Sequence, residues 1–242
     1  MLWIRRLLLA FAAAVLLVAA GCGGSSEPRR LDTWEAEGLW AGTTSSGGTL
    51  DGVILDTGEY WLIYGFRGVA RSVVHGSGYF TRGAQFRSDD ATDYFFGFDR
   101  PFFSSLAATV QPAFAINGEL FLANQLEGFG LAYVPDYRLP ADPRAIVGRW
   151  LGSASTLLSA GDFVIDIDAS GSFTASLAGG CAYGGRILPN RGGRNVFDIS
   201  MASLPSCPFL YSANGVLIAT GGRLVITAVT PDRRDVFYAV GR

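Results

Sequence analysis

From Gly38 to the C-terminus the chain runs in short stretches rich in Val, Ile, Phe, Tyr and Thr, separated by glycine, asparagine or aspartate. Period-two alternation is clearest at 162–168, where Phe163, Ile165 and Ile167 alternate with Asp162, Val164, Asp166 and Asp168. One apolar face and one mostly acidic face predict a half-buried antiparallel strand. This strand passes through Ala169-Ser170-Gly171 into 172–177, and an earlier pair, 52–56 and 59–64, turns at Thr57-Gly58. Both read as hairpins whose glycine supplies the turn geometry. Two further strands, 223–229 and 235–240, are joined through Pro231-Asp232. Helical periodicity is almost absent.

Two stretches depart from this pattern. In the first, Arg5 and Arg6 precede an apolar run from Leu7 to Val18 that ends on Ala19-Ala20-Gly21-Cys22. A basic start, an apolar core and small residues before a cut site form a secretory signal, and the run falls short of the roughly 20 apolar residues a membrane span needs. In the second, 134–143 carries Pro135, Pro140 and Pro143, a composition that breaks sheets and stiffens a connector. It divides two β-rich halves that open alike, with Gly38-Leu39-Trp40 and Gly148-Arg149-Trp150, 110 residues apart. The organisation expected is a signal peptide over 1–21, a tether over 22–36, a first β domain over 37–134, a linker over 135–145 and a second β domain over 146–242. Two copies of one small domain fit a repeat of this length better than a stacked array. About eight strands per half, joined by short turns, predict an all-β protein of two tandem small antiparallel up-and-down barrels, with barrel-like sandwiches as the alternative.

Three cysteines sharpen the picture. An even pair, Cys181 and Cys207, in an exported chain predicts a disulfide in the second domain. Closing that loop is worth roughly 3–4 kcal/mol in the chain-entropy model. Zinc or copper would need further Cys or His ligands, and the one histidine, His75, lies in the other half, so no metal and no cofactor are expected. The third cysteine, Cys22, directly follows Ala20-Gly21, and this segment resembles a bacterial lipoprotein signal, which implies lipidation of Cys22 and anchoring to a membrane. In that resemblance Gly23 stands where an aspartate would retain the protein in the inner membrane, which favours the outer membrane. The Gly-x-Trp pair and the strand pattern resemble lipocalin-like bacterial lipoproteins, in which the tryptophan closes one barrel end. Each half is shorter than a lipocalin and lacks that family's later helix, which argues against a large internal cavity. A looser resemblance is to periplasmic protease-inhibitor lipoproteins, whose small barrel also begins near a Gly-x-Trp.

Net charge is −2 and no long charge run occurs, which excludes a nucleic-acid surface. Two candidate sites follow. His75, in Val73-Val74-His75-Gly76-Ser77-Gly78, is a residue type suited to general base catalysis, but Gly76-Ser77-Gly78 lacks the pattern and following helix of a nucleophile elbow. Asp89-Asp90-Ala91-Thr92-Asp93 reads as a polar turn without the spaced ligands of a calcium loop. The second site is an aromatic surface of Tyr94, Phe96, Phe98, Phe102 and Phe103, too dense for strict alternation to bury, which would meet an envelope protein, a glycan or a small apolar ligand. The function expected is a cell-envelope lipoprotein of binding or structural type, without catalysis. The alternatives are an envelope hydrolase using His75 with a carboxylate, or a protease-inhibitor-like barrel.

Overall fold

The structure is a computed structural model that describes residues 32–82, 84–205 and 211–242. Cys22, Cys207, the signal segment and most of the tether lie outside the described residues. Among the described residues, seventeen strands fold as two closed antiparallel barrels in tandem. The first comprises β1 (Gly38–Thr44), β2 (Thr49–Ile54), β3 (Glu59–Phe66), β4 (Val69–Ser77), β5 (Tyr79–Phe80), β6 (Gln85–Phe95), β7 (Phe102–Gln111), β8 (Ala115–Leu122) and β9 (Gln125–Val134). Neighbours in sequence pair in turn, β1 pairs with β9, and β4 pairs with β6 to complete an eight-stranded up-and-down circuit. β5 is a two-residue addition to the edge of β6. The second barrel comprises β10 (Gly148–Ser155), β11 (Ala160–Ile167), β12 (Ser172–Leu177), β13 (Ala182–Pro189), β14 (Phe197–Ser203), β15 (Ser212–Thr220), β16 (Arg223–Val229) and β17 (Val236–Gly241), closed by β10 against β17. Closure leaves no long edge, which settles barrel over sandwich.

Alternation fills each interior. Leu50, Leu62, Val74, Phe86, Ile116 and Leu120 point into the first barrel, and Phe163, Ile165, Phe197, Leu217, Ile226 and Phe237 into the second, all but buried. An eight-stranded barrel is just wide enough for side chains to occupy its centre. The two openings are built alike. A 3-10 helix, Thr33–Glu35 in one and Pro143–Ala145 in the other, precedes the first strand. The tryptophan on that strand then donates its indole N–H to the carbonyl four residues earlier: Trp40 to Ala36 at 3.1 Å and Trp150 to Ile146 at 2.9 Å. A carbonyl beyond the end of the ladder is thereby paired as the chain enters the barrel.

Three sequence expectations change here. The end of the 22–36 stretch is not free chain, because Thr33–Glu35 is helical and Glu35 and Ala36 are buried. The proline-rich connector is likewise docked, with a 3-10 helix at Pro135–Arg138 and Tyr137 buried. Asp89–Asp93 is not a turn. It lies within β6, where a bulge between Ser88 and Ala91 shifts the register and breaks the alternation.

The barrels are joined by their outer walls. Leu39, Val53, Trp61, Val73 and Tyr94 of the first pack against Leu157, Val216, Ile218, Val229 and Val236 of the second in one apolar cluster. Polar contacts ring it. Arg194 meets Glu37 at 2.9 Å, Thr220 donates to Asp136 at 2.7 Å, and the Gly97 N–H donates to the Leu157 carbonyl at 2.9 Å. Arg233 donates to the carbonyls of Asp90 at 2.7 Å and His75 at 3.2 Å, while its own carbonyl accepts from the Tyr94 hydroxyl at 3.1 Å. These bonds fix the second barrel's 229–236 turn against the first barrel's wall.

Candidate functional site

Beside the Arg233 contact the two walls diverge and leave a cleft of about 910 Å³, within the usual range for ligand sites, which favour domain interfaces. Its first wall is the β2–β3 hairpin and the outer face of β3 and β4: Leu55, Asp56, Thr57, Glu59, Trp61 and His75. Gly58, at φ +87°, closes that hairpin, and the Leu55 N–H donates to the Glu59 carbonyl at 2.8 Å. The opposite wall is the outer face of β13–β16 with the β13–β14 turn. Pairing aligns Arg186 with Ser200, Ser200 with Asn214 and Asn214 with Val229, so these side chains form one outward row across four strands, about 4.8 Å apart per strand. Asn190 shapes the turn above that row. Its amide donates to Asp198 at 2.6 Å and its side-chain oxygen accepts from the Gly192 N–H at 2.9 Å.

His75 lies in this cleft with a carboxylate beside it: Nε2 is 2.9 Å from Glu59 Oε1. Its ring packs on Trp61, with centroids 4.9 Å apart at 33°, and Nδ1 is buried with no hydrogen-bond partner. One nitrogen is thus committed to Glu59 and the other faces protein. No serine, threonine or cysteine is hydrogen-bonded to either, so the nucleophile–base contact of covalent hydrolysis is missing among the described residues.

The aromatic candidates are divided between two places. Tyr94 is 0% exposed and belongs to the joint, where burial pushes its hydroxyl up to about 12. Phe96 also faces the joint, 5.9 Å from Tyr238. These two are therefore no free surface. Phe98, Phe102 and Phe103 sit at the β6–β7 end of the first barrel, where Phe98 bridges Phe95 at 5.5 Å and Phe102 at 5.2 Å. Phe98 is 47% and Phe103 62% exposed. Strand directions put this end opposite the Thr33–Glu35 helix through which the chain enters.

The cleft itself is not apparent from sequence, because its walls come from 55–75, 186–200 and 214–233. One signal was present: Val216-Leu217-Ile218 and 224–229 are apolar on both strand faces, a mark of strands buried from both sides.

No family model matches the chain, and no curated protein matches it. Among solved structures it is similar to transferrin binding protein B from serogroup B Neisseria meningitidis, at 9% identity over 81% of this chain and 58% of that one, with a TM-score of 0.34. It is also similar to a protein of unknown function from the DUF3598 family of Nostoc punctiforme, at 11% identity over 88% of this chain and 99% of that one, TM-score 0.28. A third is transferrin binding protein B from Haemophilus parasuis, at 8% identity over 81% of this chain and 66% of that one, TM-score 0.28. The chain spans little more than half the length of the Neisseria protein.

Proposed function

We propose that this chain is a cell-envelope lipoprotein, anchored through lipidated Cys22 and sorted to the outer membrane, that binds or scaffolds rather than catalyses. The observation that carries the reading is the state of His75. Its Nε2 is held by Glu59 and its Nδ1 is buried against protein, so the side chain best suited to general base chemistry cannot take a proton from an incoming nucleophile. The filled barrel interiors leave ligand contact to the outer surface and the cleft. In the second barrel the Cys181–Cys207 bridge would staple the wall that bears the Arg186 row. The partner is an envelope component, a protein or a glycan, and not nucleic acid.

Two measurements test this. Mass spectrometry of the protein recovered from membranes should find a lipidated Cys22, and Cys22→Ala should move the protein to the soluble exported fraction. Incubation with ester, peptide and glycoside substrates should give no turnover; turnover abolished by His75→Gln would establish the hydrolase instead.

A further inference from the structure

The charges lining the cleft are not evenly satisfied. Glu59 is taken by His75, Asp198 by Asn190, and Arg233 by Asp90 and two backbone carbonyls. Three charged side chains lining the cleft show no side-chain hydrogen bond or ion pair among the described residues: Arg186 and Arg191 on the second barrel and Asp56 on the first, whose backbone carbonyl alone accepts, from Thr33. Arg186 stands near enough to Asp168 to help hold that carboxyl low, but does not pair with it. The second barrel's wall thus bears two guanidiniums, Arg186 and Arg191, against one carboxylate, Asp198, while Asp56 and Glu59 keep their negative charge on the facing wall. Beside the guanidiniums, Ser200 and Asn214 continue the Arg186 row as exposed groups able both to donate and to accept. Leu188, Val229 and Pro231 supply small apolar steps between them. No aromatic face is available for stacking, since Trp61 is 4% exposed and turned onto His75.

We infer that this cleft binds an acidic sugar of the envelope, with Arg186 and Arg191 holding its carboxylate or phosphate and the Ser200–Asn214 row bonding its hydroxyls. A guanidinium matches an oxyanion in a planar, two-pronged way. Hydroxyl and amide groups spaced along a strand row suit the mixed donors and acceptors of neighbouring sugar hydroxyls. The apolar steps meet the C–H faces between them. The cleft is ready before the ligand arrives, because Arg233 and Tyr94 lock its edge, and preorganisation lowers the cost of binding. The inference rests on the binding reading above and adds the ligand's class and position.

The test is calorimetric titration of the full-length protein in detergent with three probes: pentagalacturonate, its neutral methyl ester, and a mannopentaose 6-phosphate. An acid-bearing probe should bind at least tenfold more tightly than the ester, and weaken as salt rises. Comparing the carboxylate and phosphate probes identifies which oxyanion is preferred. Replacing Arg186 and Arg191 together by Ala should reduce acid affinity to that of the ester, a loss of roughly tenfold or more. Asp56→Asn should strengthen it by removing a like charge. All three residues are exposed, so a circular-dichroism melt should show each variant folded. Equal affinity for acid and ester, unchanged affinity in the double variant, or no saturable binding of either acid would overturn the inference. Cleavage of a bound probe would instead overturn the binding-only reading and leave the site in place.

Discussion

Asp93 shows how much a single side chain can hold against the chemistry of its surroundings. It is fully buried on β6, accepts the Ala123 N–H at 3.0 Å on one oxygen and leaves the other without a partner. Burial pushes its carboxyl up from 3.8 to about 6, opposed only in part by the nearby Ser72 hydroxyl, which does not reach hydrogen-bonding geometry, and by the Ala123 N–H. The bond has a structural purpose, since Ala123 and Asn124 sit at φ +44° and +67° in the tight β8–β9 turn and the carboxylate ties that turn down. Because the folded pKa lies above the unfolded one, the native state binds the extra proton. The protonated group's advantage is fully present below about pH 4 and is lost as pH rises to about 6. Asp93→Asn keeps the acceptor and removes the charge, so it should stabilise the protein at pH 7 by up to about 3 kcal/mol and show no gain below pH 4. Denaturant midpoints of the two proteins across pH 3–8 check this, and parallel profiles would refute it. The sequence made Asp93 visible as part of an acidic cluster but not as a buried group. Strict alternation from Phe86 and Ser88 would turn Asp90 inward and Asp93 outward; the Ser88–Ala91 bulge reverses both, and a bulge leaves no reliable mark in residue types.

At the scale of elements, the repeated barrel opening was the most legible part of the chain. Gly38-Leu39-Trp40 and Gly148-Arg149-Trp150 were recognisable as two starts, and both tryptophans do the same work, pairing a carbonyl four residues back. The 3-10 helices beneath them were not legible, because three residues are too few to show a period. The two tryptophans differ in burial: Trp40 is 1% exposed and packs edge-on against Tyr133 at 5.3 Å, whereas Trp150 is only partly buried. Replacement by Phe leaves a carbonyl unpaired in each case, but creates a void only at Trp40. Trp40→Phe should therefore cost about 2–4 kcal/mol and Trp150→Phe about 1–2 kcal/mol in urea unfolding; equal losses would contradict the assignment. The cysteine pair belongs to this scale too. Cys181 precedes β13 and packs against the second core. Cys181→Ser should lower the melting temperature of the whole cooperative unit, by an amount corresponding to roughly 3–4 kcal/mol at most. An unchanged melt with and without reductant would exclude the bridge.

The whole molecule is more than two barrels on a string, and this was the least legible level, since docking depends on which outer faces meet rather than on any local period. A barrel wall exposed to water should alternate, yet Val53, Trp61 and Val73 on one barrel and Val216, Ile218 and Val229 on the other are apolar where the pattern calls for polar residues. Each such side chain gains roughly 1.5–3 kcal/mol from burial, so the joint is a real source of stability and the barrels should unfold together. Val216 isolates the effect. It points out of β15 and is buried only because the first barrel covers it, so a lone second barrel would carry Asp there in water at little cost. In the docked protein the same Asp would be an unpaired buried charge, costing several kcal/mol. Val216→Asp should split one cooperative melt into two and increase the hydrodynamic radius, while the far-ultraviolet spectrum keeps its β signature. The same variant should also lose the cleft between the walls, and with it acidic-probe binding, although Arg186 and Arg191 are untouched. Ser176→Asp, on an exposed outward position of β12 opposite Val164 and Ala182, should change neither the melt nor the radius. If Val216→Asp left a single unshifted transition and an unchanged radius, the barrels would be independent in solution and the joint would carry no share of the stability.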